Sequence, residues 1–118
     1  MVPEHRYMIA FLAASLKAER TFTHVYDHDA QREVAVGGVV RPDRVEVIEN
    51  ATGARITGEP KALFHLGSRS YIQLQMEEAG FSGYDYGSKS HYRGLFQQGG
   101  VVHLFDHESG RYHAFHVK

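Results

Sequence analysis

Nine histidines and fourteen acidic residues among 118 make acid-base or metal chemistry the first possibility to weigh. Asp27-His28-Asp29 and Asp106-His107-Glu108 are near-copies of one another. Together they offer six oxygen or nitrogen donors of the kinds that hold a divalent ion or pass a proton between carboxylate and imidazole. Asp27, His28, Asp106 and His107 are therefore the candidate metal ligands; no cofactor is expected, and a divalent metal is the one these residues could hold. The competing explanation is structural. An Asp that opens a hairpin turn accepts hydrogen bonds from backbone N–H groups two residues on, and Gly110 supplies the left-handed position such a loop needs.

The other histidines fit no metal signature. No His-x-His and no His-Glu-x-x-His occurs, and His113-x-x-His116 lies on an expected strand, where residues three apart face opposite ways. If Asp106 pairs with Arg111, Ala114 lies opposite His103 and His116 becomes its diagonal neighbour. Tyr84, Tyr86 and Tyr92 cluster around Gly83 and Gly87 as an aromatic recognition surface, or as strand residues beside glycines that permit a bulge. The candidate ligand-binding residues are thus Tyr84, Tyr86, Tyr92, His103 and His116. Cysteine is absent, which removes thiolate catalysis, Cys-based zinc sites and disulfides. Gly-x-Ser-x-Gly, Walker-type and dinucleotide-binding glycine motifs are also absent. Ser88 and Ser90 stand near His91, but adjacent strand residues diverge, so a Ser-His nucleophile is not expected there.

The elements that must position these residues change character once along the chain. From Pro3 to about Glu19 the apolar residues Met8, Leu12 and Leu16 recur at four-residue spacing beside Ile9 and Phe11, with alanines over much of the remainder. Proline suits the first turn, and Glu4 suits the positive end of the helix dipole. The segment is too short to cross a bilayer, which takes roughly 20 apolar residues. It lacks a convincing cleavage site and is taken as a helix of the mature protein. Apolar nearly all round, it is expected to be buried on more than one side, across a concave sheet, in its mouth or in a subunit interface.

After Arg20 the period becomes two. Asp27, Glu49, His65, Asp85 and Asp106 recur roughly 16 to 22 residues apart, each ending an alternating run and opening a polar turn. That spacing predicts pairs of short strands and is too short for propeller blades, which need roughly 40 to 45 residues. The expected fold is α+β and mainly β. An N-terminal helix packs on an antiparallel meander of about ten short strands, a strongly curved sheet or up-and-down barrel, in one domain of residues 1–118 (helix 1–20, meander 21–118). In such a meander every within-hairpin turn lies at one end, so the five landmark residues share one rim.

A net charge of −1 with basic and acidic residues interspersed gives no face for nucleic acid, and no membrane association is expected. The leading functional expectation is a small soluble binding module, non-enzymatic and cytoplasmic, for a small apolar ligand or a protein partner. The alternative is a small metal-dependent or acid-base enzyme on the Asp/His rim. A homodimer through a terminal strand or the apolar helix is expected if the sheet stays open.

Overall fold

A computed structural model describes all residues, 1–118. One helix, α1 (Pro3–Ala18), is followed by ten strands: β1 (His24–Asp27), β2 (Arg32–Arg41), β3 (Arg44–Glu49), β4 (Arg55–Glu59), β5 (Ala62–His65), β6 (Ser70–Met76), β7 (Gly80–Asp85), β8 (Ser90–Phe96), β9 (Val101–Asp106) and β10 (Arg111–Val117). Each strand pairs antiparallel with the next, and β1 pairs with β10 through Val25 and Val117, so the sheet closes into a barrel. Closure removes both sheet edges.

The helix lies inside. Tyr7 through Ser15 are all buried, as is His5, and the helix sides meet β1, β2, β6, β9 and β10. A helix of 16 residues is roughly 24 Å long, close to the 30 × 29 × 26 Å extents of the molecule. This explains a segment apolar on every side: the barrel surrounds it, and small Ala10 and Ala13 let strands approach. The two surfaces on which a dimer was expected, a strand edge and the helix face, are therefore both used within the chain.

A core already filled by a helix has room for medium-sized inward residues. Val25, Val34, Val45, Val47, Ile56, Leu63, Ile72 and Leu104 point in and are almost fully buried. Outward positions are largely polar, for example Arg44 and Glu46 on β3 and Gln73 and Gln75 on β6. Three strand aromatics, Phe81, Tyr92 and Phe115, are buried inside, and a glycine faces two of them across the sheet. Phe81 pairs with Gly94, and Tyr92 with Gly83, so Gly83 admits a ring and forms no bulge.

The five hairpin turns are built alike. Each landmark is the last residue of an odd-numbered strand, and the residue four later has left-handed backbone: Gln31, Gly53, Arg69, Lys89 and Gly110, with φ between 51° and 74°. Only Gly53 and Gly110 take that conformation without a side-chain penalty.

Candidate functional site

All five landmarks turn inward at one rim. Asp27, Glu49, His65, Asp85 and Asp106 are each at least 96 % buried, with exposures of 4, 0, 2, 1 and 0 %. Their phase along the chain is the cause. Asp27 follows Val25 by two residues, Glu49 follows Val47, His65 follows Leu63 and Asp106 follows Leu104, so each continues an inward-facing row.

Buried polar groups need partners, and the first turns of α1 supply most of them. The amino group of Met1 lies 3.0 Å from Asp106 Oδ2, and Arg6 Nη1 donates to the same oxygen at 3.3 Å. His5 Nδ1 is 3.3 Å from Asp85 Oδ1. His65 Nε2 faces Glu4 Oε2 at 3.5 Å. The hydroxyl of Tyr7 donates to Glu49, whose other carboxylate oxygen has no partner. Successive residues of one helical turn point in different directions, so a single turn reaches four hairpins. Asp27 has no partner on the helix and is held by its own turn, accepting from the N–H groups of Asp29 (3.0 Å) and Ala30 (3.4 Å).

Two Asp-His-Ser relays arise on this rim. In one, Asp85 meets His5 Nδ1, and His5 Nε2 is 3.1 Å from Ser68 Oγ. In the other, Asp29 bonds His113 Nδ1, and His113 Nε2 is 2.8 Å from Ser109 Oγ. Burial opposes ionisation of both aspartates, but hydrogen bonds from His5 and Ser88 to Asp85, and from His113 with Arg111 to Asp29, outweigh it and hold both carboxyls below their ordinary range. Burial, reinforced by repulsion from His5, lowers His65; Glu4 and Asp85 oppose this only in part. The phenol of Tyr7 is raised by burial and by its hydrogen bond to Glu49.

These shifts set the sign of the pH dependence. Asp85 and Asp29 titrate lower in the folded chain than in the unfolded one, so their stabilisation is complete above the ordinary carboxylate value and lost as pH falls through the folded values. His65, buried and neutral, gives the same sign, because the unfolded chain takes up its proton first. The urea midpoint is therefore expected to begin falling below about pH 6.5 and to fall more steeply below about pH 4. His65→Asn should remove the earlier decline. A midpoint constant or rising from pH 7 to 5 would contradict this assignment.

The expected juxtaposition of the first and last hairpins is present. The His28 N–H donates to the Ala114 carbonyl (3.1 Å), and Asp29 accepts from Arg111 at 3.2 Å. The proposed ligand set does not form there. Asp27 and Asp106 point into the barrel, whereas His28 and His107, one residue on, point out and pack edge-on against Tyr26 and Phe105. The period of two separates them, and no group of three or more His, Asp or Glu side chains is placed to hold a metal ion.

The five residues offered for ligand binding are also divided between faces. Tyr92 is 98 % buried inside, its hydroxyl donating to the Gln73 carbonyl at 2.7 Å. Tyr84 packs outside between Tyr86 and His91. Asp106 does pair with Arg111, and Ala114 lies opposite His103 with His116 diagonal to it on the outer face. Missed in the sequence were His5, Ser68, His113 and Ser109. A usable signal was the shared Gly-Ser-x-Ser of His65–Ser70 and Asp85–Ser90, which puts Ser68 and Ser88 at equivalent turn positions.

At the opposite rim, the last turn of α1 and the between-hairpin joints surround an open cleft of about 680 Å³. Leu16, Leu74, Met76, Pro42 and Pro60 provide its apolar part, and Lys17, Lys61, Glu19, Glu59 and Glu77 its charged part. No helix is long and apolar enough to cross a membrane. No family model matches the chain, and neither a curated protein nor a solved structure matches it.

Proposed function

We propose that the protein is a binding module for a small amphipathic molecule, seated in the cleft at the C-terminal end of α1. The observation that carries this is the cleft itself. Its volume falls within the ~300–1,000 Å³ common to small-molecule sites, and it combines an apolar surface with a few charged groups. The barrel interior is occupied by the helix, so an apolar ligand has no comparable place within it.

The lining also selects the ligand's headgroup. Three glutamates against two lysines, beside the negative end of the helix dipole, favour a cationic or neutral head over a carboxylate. A protein partner is the second reading, favoured by the exposed rings of Tyr71, Tyr86 and Tyr112 on the outer face.

Methyl-resolved NMR titration with hexylammonium and with hexanoate tests the first reading. Hexylammonium is expected to shift the Leu16, Leu74 and Met76 methyls at millimolar concentration, hexanoate several-fold less, and Met76→Lys to suppress both. Unshifted methyls, or tighter binding of hexanoate, would refute it.

A further inference from the structure

The geometry points to a second activity at the other rim: we propose that Ser68 is a nucleophile, activated by His5 and Asp85, that takes the acyl group of a small ester and releases it to water. The inference does not depend on the cleft.

Hydrogen-bond directions carry the assignment. An ionised carboxylate only accepts, so His5 Nδ1 carries the proton facing Asp85 Oδ1, and in the neutral form of the ring, the form that acts as a base, Nε2 is the acceptor toward Ser68 Oγ. Ser68 Oγ also lies 2.9 Å from His65 Nδ1, but that nitrogen already accepts the Ser68 backbone N–H at 3.0 Å. Ser70 Oγ, 2.7 Å away, can donate to Ser68 Oγ. The network is satisfied when the Ser68 hydroxyl proton points at His5 Nε2, the arrangement a general base requires.

Burial divides the roles. His5 and Asp85 are 2 % and 1 % exposed and are fixed by α1 and β7, whereas Ser68 stands on the exposed β5–β6 turn. The three border a depression of about 300 Å³ with Val2, Ser70 and Ser88. In the second relay the one Ser109 hydroxyl proton has two competing acceptors, His113 Nε2 at 2.8 Å and the Asp106 carbonyl at 3.2 Å.

The reaction balances with water alone. Ser68 Oγ adds to the ester carbonyl carbon as its proton passes to His5 Nε2. The bond to the leaving oxygen then breaks, and His5 returns the proton to that oxygen, releasing the alcohol. Water adds to the acyl-Ser68 carbonyl with His5 taking one of its protons. The bond to Ser68 Oγ breaks, that proton returns to Ser68, and the acid leaves. A positioned general base contributes roughly 10²- to 10⁴-fold, which sets the scale of the activity.

The test uses the full chain with p-nitrophenyl acetate as substrate and a fluorophosphonate as covalent probe. One adduct is expected, mapped to Ser68. Ser68→Ala should abolish it and lower kcat/KM at least about 100-fold, with the fold retained by circular dichroism because the residue stands on an exposed turn. His5→Gln and Asp85→Asn should lower kcat with the adduct slowed in parallel, and Ser109→Ala should change neither. If His5→Gln does not fold, Ser68→Ala still decides. An adduct on another residue, no adduct, or turnover undiminished in Ser68→Ala would overturn the proposal.

Discussion

Replacing Phe11 by alanine is expected to destabilise the fold by about 3–5 kcal/mol, and Leu12→Ala by about 2–5 kcal/mol. Both side chains are 0 % exposed in the middle of α1, surrounded by strands. A closed barrel resists collapse onto the vacated space, because moving one strand inward disturbs its pairing on both sides. The costs should therefore lie toward the upper ends of these ranges. Urea unfolding monitored by circular dichroism gives the measurement, and a loss below about 1 kcal/mol for Phe11→Ala would show that the helix does not fill the barrel. A chain beginning at Thr21 should fail to form the barrel at all, since the inward Val, Leu and Ile rows would face an empty lumen.

Gly94→Ala is expected to cost about 1–3 kcal/mol, and more if the ring opposite cannot move. A Cβ at that position would sit 1.9 Å from Cζ of Phe81, whose ring lies over the glycine and is fully buried. Trimming the ring should relieve the clash, so Gly94→Ala with Phe81→Leu should lose less than the sum of the single changes, by about 0.5–3 kcal/mol. Gly83→Ala supplies the contrast. Its Cβ would meet the Gln73 carbonyl oxygen at 1.9 Å as well as the Tyr92 hydroxyl at 2.3 Å. A backbone atom cannot be trimmed away, so shortening Tyr92 should not rescue it. Strict additivity of the Gly94 and Phe81 changes would remove the ring-on-glycine pairing from the account of the core.

The Asp/His rim was legible in one respect and hidden in another. That the landmark residues share an end followed from counting antiparallel strands, and the 106–111 pairing, conditional on sequence alone, is the register that forms. Which way the landmarks face did not follow. Tyr26, Phe64 and Phe105 belong by composition in a core, yet they face outward while Asp27, His65 and Asp106 face in. The aromatic rows lose their claim to the interior because α1 occupies it, and the acids become tolerable there because the same helix brings Met1, Arg6, His5 and Tyr7 to them.

Local chemistry alone determined the helix from Pro3, its end beside Glu19, the ten short strands, the turn after each landmark and the left-handed position at Gly110. Those features depend on residues within a few positions of one another, where periodicity and turn preference act. Tertiary structure decided closure through β1 and β10, the helix inside the barrel, and the meeting of His5 with Ser68 and Asp85, 63 and 80 positions away. Such contacts arise only when one helical turn is surrounded by hairpins, because it is the ring of strands that converts neighbouring residues of the helix into partners for distant parts of the chain.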